Sequence, residues 1–314
     1  MIRIINFDVG QADCFLLHFE NDKKYFNLLI DGAYQKNEIV KILEKYLSGQ
    51  KIQGIVVTHV DRDHISGIKE IVRKRPQYIK DAFFLFNRYD ETLISYRDAK
   101  ELADDLKKYF PMDKVVKSYS RSFSQKQNLK LNEKSDQNLE LQINLMSKGQ
   151  RSKCEKVEPD VVNITVLGPD IDNISKFMRN WHDNNKDSEL TNRVSICLLV
   201  EFDNKKILMS GDGYLKDMEV VLEQIGIDKL DVIKAPHHGA KENNSSLVDM
   251  VNKYKCSFVL FTIDLNKDKE GKHPDIEVIK KLKENQSDVK LYCNTTVDAN
   301  MLEEYIEQKT EVEL

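Results

Sequence analysis

The most informative stretch of the chain is Thr58-His59-Val60-Asp61-Arg62-Asp63-His64-Ile65-Ser66-Gly67, which follows the apolar run Ile55-Val56-Val57. It places two histidines and two aspartates within six residues. A strand that ends in a turn can aim several side chains at one point, and imidazole with carboxylate suits zinc, manganese or iron(II) better than calcium. The stretch therefore predicts a site for one or two divalent metal ions. The alternative is a polar loop that opens a helix, with Asp63 as its cap and the histidines solvated.

Length and composition favour a folded protein in a reducing compartment. The chain has 314 residues, of which 40% are hydrophobic, enough to bury a sizeable core as one large domain with insertions or as two moderate ones. The 48 basic and 52 acidic residues give a formal net charge of -4, so no overall basic field indicates a nucleic-acid binder. The cysteines are odd in number, scattered and without CxxC spacing, which favours free thiols and a cytoplasmic location. No signal peptide or membrane-spanning run of about 20 apolar residues is evident, so we expect no membrane association.

The apolar pattern predicts two halves with the same plan, each with strands first and strand-helix units after them. Strands are predicted near residues 2–7, 14–17, 25–30, 54–57, 82–86, 162–167, 194–200, 206–209, 232–234 and 258–261, and helices near 36–49, 66–75, 92–109, 214–225, 245–253 and 274–284, before a terminal strand and helix. This plan is compatible with two packed sheets covered by helices, which we expect to form a single domain over 1–314. Between about 118 and 160 the alternation fails, which predicts an inserted lid or mobile loop, or else a plain solvated insertion.

Two later stretches place further polar groups at predicted strand ends. Leu208-Met209-Ser210-Gly211-Asp212-Gly213 presents Asp212 between glycines that let the backbone turn tightly, although a turn aspartate without a ligand is the alternative. Lys234-Ala235-Pro236-His237-His238-Gly239-Ala240 delivers two adjacent histidines into a turn. Adjacent side chains leave a strand on opposite sides, so we expect one imidazole to bind metal and its neighbour to face the substrate or a supporting group. We assign the ligand role to His237.

Taken in order, these motifs resemble those of the metallo-β-lactamase superfamily, and within it the hydrolase domain of ComEC/Rec2-type competence proteins and their free-standing relatives. The likeness covers most of the chain. It includes Phe7-Asp8-Val9-Gly10-Gln11-Ala12-Asp13, similar to the family's FLDVGQGD, Leu29-Ile30-Asp31-Gly32, residues 192–200, similar to SNxxSLVL, and the KAPHHGA stretch, similar to KVPHHGS. The resemblance implies an α/β fold, the four-layer αββα sandwich, with a metal site on the rim where the sheets meet.

By this resemblance a set of six residues corresponds to metal ligands, with Asp212 as the bridge: His59, Asp61, Asp63, His64, Asp212 and His237. The resemblance also implies that Asp31 supports the site through hydrogen bonds. Asp8 and Asp13 are either turn residues or groups near the site.

The sequence departs from the superfamily's pattern at two places. Asp61 stands where the common HxHxDH motif has its second histidine, and this harder ligand shifts the preference towards manganese or iron without excluding zinc. The histidine usually found between the first motif and the bridging aspartate is not evident, because His182 fits no motif of the family. Asn87 or Asp90, after the strand at 82–86, is a candidate for its place. One metal ion is therefore favoured over two.

The leading interpretation is a metal-dependent hydrolase that cleaves phosphodiesters through a metal-bound hydroxide, with DNA or another nucleic acid as the expected substrate. Asp63 would bind metal and orient the nucleophile, while His238 or Lys241 would steady the charge on the phosphoryl group. His273, in a His-Pro pair that the family often shows here, would approach from a neighbouring loop and assist the leaving group. The alternative for His273 is a turn that opens the next helix.

Two other function classes stay open. The first is ester, thioester or lactam hydrolysis on a small molecule, which would need an apolar pocket. The second is a non-catalytic regulatory module of the same fold, with a protein partner. The basic segment Arg73-Lys74-Arg75 could contact a phosphate backbone, or it is a solvated helix end.

Overall fold

Two β-sheets packed face to face form the centre of the structure, a computed structural model that describes residues 1–34, 38–87, 97–110, 114–116, 139–145, 160–182, 187–263, 273–285, 288–295 and 305–314. Within this part of the chain the first sheet has seven strands in the order β15-β1-β2-β3-β4-β5-β6. Its strands are β1 (Ile2–Asn6), β2 (Phe15–Asn21), β3 (Lys24–Ile30), β4 (Gly54–Val57), β5 (Phe83–Phe86), β6 (Val115–Val116) and β15 (Glu311–Glu313). Strands β1 to β3 are antiparallel, whereas β3 to β6 run parallel.

The second sheet has eight described strands in the order β14-β13-β12-β11-β10-β9-β8-β7. They are β7 (Glu140–Leu145), β8 (Val161–Gly168), β9 (Cys197–Phe202), β10 (Lys205–Met209), β11 (Val232–Lys234), β12 (Phe258–Phe261), β13 (Lys290–Cys293) and β14 (Glu307–Gln308). Strands β10 to β13 are parallel. Their carboxyl ends therefore meet at one edge of the sheet, where the Asp212 and His237-His238 motifs lie.

Nine described helices connect and cover the strands. They are α1 (Ile39–Leu47), α2 (Arg62–Lys74), α3 (Pro76–Ile79), α4 (Arg97–Tyr109), α5 (Ile171–His182), α6 (Ser188–Arg193), α7 (Leu215–Ile225), α8 (Leu247–Lys253) and α9 (Ile276–Asn285). Among the described residues, no helix combines the length and apolar character needed to cross a membrane.

Three layers of buried apolar side chains hold these elements together. Alternation along each strand sends one set of side chains between the sheets, where Leu17 of β2 and Leu198 of β9 share a core. The opposite set packs under helices: Leu16 lies in a core with α1, α2 and α4, and Leu199 lies in a core with α7, α8 and α9. The order helix, sheet, sheet, helix confirms the predicted four-layer αββα sandwich.

The structure adds elements that the apolar pattern did not reveal. Helix α2 begins at Arg62, inside the first motif rather than near residue 66, so His64 lies on its first turn. Strand β7 lies within the range where an insertion was predicted, and it pairs in register with β8 over six residues. The other residues of 118–159 lie outside the described part of the chain, as do residues 92–96 of the predicted helix at 92–109. Helix α6 and the short strands β14 and β15 were not predicted, because each has few apolar residues. Helix α5 was not predicted either, although Ile171, Ile174 and Phe177 recur at helical spacing.

Candidate metal centre

The first motif forms a turn between β4 and α2 that is pressed against the end of β3. The amide N of Gly32 donates to the carbonyl O of His64 at 2.7 Å, and the amide N of Gly67 donates to that of Ala33 at 3.1 Å. A Cβ on Gly67 would lie 1.8 Å from the carbonyl O of Gly32, so only glycine permits this approach. The backbone thereby fixes His64 beside the carboxylates described below.

The imidazoles of three histidines converge on two aspartates. The Nε2 atoms of His59 and His64 lie 3.8 and 3.5 Å from Oδ2 of Asp212. Oδ2 of Asp63 lies 3.9 Å from Nε2 of His64 and 3.5 Å from Nε2 of His238. Three overlapping groups have candidate ligand atoms within 4.8 Å of one another: His59, His64 and Asp212; Asp63, His64 and His238; Asp13, Asp31 and His64.

Among the described residues, two buried atoms at the centre of this cluster have no hydrogen-bond partner, Nε2 of His59 and Nε2 of His64. The same holds for Oδ1 of Asp212, on the side of this carboxylate that faces Lys234. Buried polar atoms in folded proteins almost always have partners, because leaving one unsatisfied costs about 1–3 kcal/mol. Imidazole nitrogens and carboxylate oxygens that share one point are the donors that zinc, manganese and iron(II) accept. The residues present therefore fit a divalent metal ion.

Hydrogen bonds on the far side of the rings orient the two histidines of the first motif. Nδ1 of His64 lies 2.8 Å from Oδ2 of Asp31, and that carboxylate also accepts from the amide and the hydroxyl of Thr58 at 2.8 and 2.7 Å. Nδ1 of His59 lies 3.1 Å from the same hydroxyl. Since Nδ1 is occupied in both rings, Nε2 is the nitrogen left to bind a metal. Asp31 thus holds the supporting position that the resemblance implied.

The other candidate ligands lie nearer the solvent. Oδ2 of Asp61 is 3.6 Å from Nε2 of His59, and its side chain is 39% exposed. Nε2 of His237 is 3.9 Å from Oδ2 of Asp212, and its ring is 30% exposed, against 2% for His238. The structure therefore brings both adjacent histidines to the cluster, each facing a different carboxylate, with His238 the more deeply buried.

The charges of the cluster favour binding of a cation. Burial disfavours the charged form of His64, but the carboxylates of Asp212, Asp31 and Asp63 outweigh it and hold the pKa of this ring well above its usual value. Burial acts in the opposite direction on Asp212, yet His64 and His238 hold its pKa well below the usual range. The pKa of Asp63 is also lowered, because His64 and His238 outweigh its burial. The carboxylates thus stabilise positive charge at this point, and a bound divalent ion would supply that charge.

This region also contains a buried ammonium group that the sequence did not predict. Lys234, at the end of β11, contacts Oδ2 of Asp13, donates to the carbonyl O of Gly211 at 2.9 Å and lies 3.8 Å from Oδ1 of Asp212. Lys234 and Asp13 are both almost fully buried. The available signal in the sequence was a lysine at the end of an apolar strand. Since lysine is almost never buried without a partner, its position indicates a buried carboxylate nearby. Asp13, which the sequence predicts to be either a turn residue or a group near the site, lies beside His64 at the back of the cluster.

His273 reaches the mouth of the site from the loop before α9. Its ring centroid lies 4.9 Å from that of His237 and 6.5 Å from that of His238. The amide of Asp275 donates to the carbonyl O of Gly239 at 3.1 Å, which ties this loop to the two histidines. Lys241, by contrast, is exposed and pairs with Glu277 at 2.6 Å.

Of the candidates for the place of the intermediate histidine, the structure describes the side chain of Asn87. Asn87 is buried directly after β5. His182 is the last residue of α5, and Asp90 lies outside the described residues.

The basic segment at the end of α2 is engaged with carboxylates. Arg73 pairs with Asp105 at 2.7 Å and Lys74 with Glu70 at 2.5 Å. Arg75 pairs with Glu44 at 2.8 Å. Pairing of this kind is typical of a structural helix surface, the second of the two interpretations of this segment.

Comparisons with known proteins return structures but no sequence matches. No family model matches the chain, and no curated protein matches it. Similar solved structures include the metallo-β-lactamase fold protein YhfI from Bacillus subtilis, with 11% identity, coverage of 93% of this chain and 96% of that chain, and a TM-score of 0.49. The short form of human tRNase Z has 11% identity, coverage of 100% and 99%, and a TM-score of 0.40. A long form RNase Z from yeast has 14% identity, coverage of 96% and 39%, and a TM-score of 0.40.

The layer order, the two sheets and the position of the strand-end cluster agree with the fold implied by the sequence motifs. The chain has a four-layer αββα sandwich, with a candidate metal centre at the rim between its sheets.

Proposed function

We propose that this protein is a metal-dependent hydrolase that cleaves phosphodiesters, with a nucleic acid as its substrate. The observation that carries the proposal is the pair of buried Nε2 atoms of His59 and His64, which have no hydrogen-bond partner among the described residues and lie 3.8 and 3.5 Å from Oδ2 of Asp212. A hydrolase built on the ComEC/Rec2-type plan, as one domain with an insertion and located in the cytoplasm, is the form of this proposal that the motifs favour.

Two groups of side chains would hold the metal, with Asp212 shared between them. His59, Asp61 and His237 form one group, and their atoms lie 3.6–3.9 Å from one another or from Asp212. The second group contains Asp63 and His64. His237, in the first group, would supply an imidazole in place of the intermediate histidine that the sequence lacks. Two ions could then be held. Zinc and manganese both suit this mixture of nitrogen and oxygen donors, and iron is compatible with it.

Our proposed mechanism assigns separate tasks to residues of this chain. A bound divalent ion lowers the pKa of water and stabilises charge on a phosphoryl oxygen. The Asp63 carboxylate, whose low pKa keeps it ionised near neutral pH, would orient the attacking water through hydrogen bonds. His238, whose Nε2 lies 3.5 Å from that carboxylate, would serve either as a ligand of the metal or as a group facing the phosphate. His273, at the mouth, would donate a proton to the leaving oxygen.

One observation keeps acyl hydrolysis as a second candidate function. The described carboxylate and imidazole groups would activate water equally well for attack on an ester, thioester or lactam. The basic segment of α2, the one cationic feature considered for a phosphate backbone, is paired with carboxylates. Substrate preference therefore decides between the two classes.

The test compares hydrolysis of bis(p-nitrophenyl) phosphate, single- and double-stranded DNA, and a p-nitrophenyl ester. Metal-stripped protein is refilled with manganese or zinc, beside the Asp63→Ala/His64→Ala variant. A His18→Gln variant, which changes a buried histidine on β2 away from the cluster, controls for loss of a histidine. We expect metal-dependent phosphodiester cleavage that falls by at least about 10²-fold in the double variant and persists in the control. Cleavage of the ester alone would replace the phosphodiesterase proposal with the acyl one.

A further inference from the structure

A threonine hydroxyl lies between His238 and a buried carboxylate. The Oγ1 atom of Thr262, directly after β12, donates to Oδ1 of Asp13 at 2.7 Å. Nδ1 of His238 lies 2.8 Å from the same Oγ1. All three side chains are almost fully buried, so water does not compete for these contacts.

The charge on Asp13 fixes the direction of this chain of hydrogen bonds. Oδ2 of Asp13 contacts the ammonium of Lys234, which has donors only, and Lys234 also lies near Asp212. Burial acts to raise the pKa of Asp13, but Lys234 and the nearby histidines lower it below the usual value. An ionised carboxylate can only accept hydrogen bonds, so the Thr262 hydroxyl must donate its single proton to Asp13.

The position of the proton on His238 follows from this direction. Because the Thr262 hydroxyl donates its proton to Asp13, it can only accept a hydrogen bond from the His238 ring. Nδ1 of His238 must therefore carry a proton, and in the neutral ring Nε2 carries the lone pair. That Nε2 atom faces Oδ2 of Asp63 at 3.5 Å, on the side of the candidate metal centre.

We infer that Asp13, Thr262 and Lys234 act as positioning residues which set the tautomer of His238 and so prepare its Nε2 to bind the metal. Lys234 keeps Asp13 ionised, Asp13 orients the hydroxyl, and the hydroxyl orients the ring. The inference rests on the proposed function only in its use of the metal, because the tautomer is a property of the metal-free protein. Supporting hydrogen bonds of this kind change metal affinity by about 10–100-fold in other sites.

An Asp13→Asn variant should reverse the direction of the hydrogen bonds that run from residue 13 through Thr262 to His238. It keeps the size and shape of the side chain at position 13. Its amide oxygen must face the Lys234 ammonium, which has only donors, so the amide NH₂ turns towards Thr262. The hydroxyl then accepts from residue 13 and donates to Nδ1 of His238. The ring is left with its proton on Nε2, where the metal would bind.

The experiment is a long-range ¹H–¹⁵N NMR spectrum of metal-free protein labelled in its histidines, recorded about two pH units above the usual histidine pKa of about 6.5. A His238→Ala spectrum assigns the signals of that ring. We expect the Nδ1–H tautomer for His238 in the wild type and in Thr262→Ser, and the Nε2–H tautomer in Asp13→Asn. His237, which makes no described contact with Thr262, serves as the internal control and should not change. Affinity for zinc, measured by competition with a chromophoric chelator, should fall about 10–100-fold in Asp13→Asn and stay near wild type in Thr262→Ser.

Thr262→Val provides a second route should Asp13→Asn fail to fold. Valine removes the hydroxyl and leaves Nδ1 of His238 3.5 Å from Oδ1 of Asp13, too far for a strong hydrogen bond. The Nε2–H tautomer should then appear beside the original one, and zinc affinity should fall. An Nε2–H ring in the wild type, or an unchanged His238 signal and zinc affinity in both variants, would overturn the inference. Failure to cleave phosphodiesters with the tautomer as expected would instead overturn the proposed function alone.

Discussion

The two sheets contribute different halves of the candidate metal centre. The first sheet supplies its part from a single turn, in which His59 and His64 follow one strand and Asp31 contacts a ring directly at 2.8 Å. The second sheet supplies its part from the ends of three neighbouring strands. There the hydroxyl of Thr262 and the ammonium of Lys234 both contact Asp13, which lies between β1 and β2 of the first sheet. The first half is therefore mostly local along the chain, whereas the second is assembled by the sheet topology and includes the buried ammonium of Lys234.

This difference shows two ways in which a buried carboxylate at the rim finds partners. Asp31 is held by two hydrogen bonds from Thr58 and by the His64 ring. Asp13 depends on Lys234, which is buried and has its pKa raised by Asp13 and Asp212 in spite of burial. Removing the Lys234 ammonium should therefore lower the free energy of unfolding far more than removing an exposed charge.

The largest expected effect comes from Asp212, the side chain common to both halves. Asp212→Ala removes the carboxylate that faces His59, His64 and His237, so both halves lose their shared ligand. We expect phosphodiester hydrolysis to fall by more than about 10²-fold, beyond the loss caused by a supporting group. Initial rates with bis(p-nitrophenyl) phosphate measure this. A rate within tenfold of wild type would show that the halves do not share Asp212.

The second-largest expected effect is on the free energy of unfolding and comes from Lys234, in the second half. Lys234→Met leaves Asp13 buried without its cation, which should lower the free energy of unfolding by about 3–5 kcal/mol. In the double variant Asp13→Asn/Lys234→Met neither charge remains, so part of the loss should return. Urea unfolding of the metal-free variants gives both values. Equal losses in the single and double variants would contradict the pairing of these two side chains.

A smaller effect tests what happens to a buried carboxylate without a buried cation. Glu201, on β9, is 3% exposed and accepts from Asn163 at 2.8 Å. Burial raises its pKa, with Lys206 and Asn163 opposing the rise. A raised folded pKa means that this group's stability is present below the unfolded value of about 4.5 and is lost as pH rises through the folded value.

Glu201→Gln removes this titration and keeps an amide oxygen for Asn163. Its free energy of unfolding relative to wild type should therefore rise as pH increases from below 4.5, and then level off above the folded pKa of Glu201. Urea unfolding at a series of pH values measures the difference. A constant difference across the series would mean that Glu201 is not shifted.

The smallest effect concerns the exposed charges of α2. Arg73 is 44% exposed and pairs with Asp105, so Arg73→Ala should change stability by only about 0.2–1 kcal/mol. We also expect the salt dependence of DNA binding to stay the same, whereas loss of a phosphate contact would reduce its slope by about 1. Fluorescence anisotropy at several salt concentrations measures that slope. A reduced slope would return this segment to the nucleic-acid interface.

The sequence was sufficient for the part of the site that is local along the chain. The grouping of His59 with His64 could be predicted because they flank one strand-to-helix turn, and the place of Asp212 could be predicted because glycines mark the end of its strand. The supporting groups could not, since Thr262 and Asp13 are 249 positions apart and meet only through the packing of the two sheets. The fold was similarly readable from alternating apolar runs, but β14 and β15, with few apolar side chains, gave no such signal.

The most direct test of the central claim is a calorimetric titration of metal-stripped protein with zinc and with manganese. The cluster should bind one or two ions per chain, and the Asp212→Ala/His64→Ala variant, folded by circular dichroism, should lose this binding. His18→Gln should retain it. Absence of binding in the wild type, or undiminished binding in the double variant, would contradict the assignment of this rim as a metal centre.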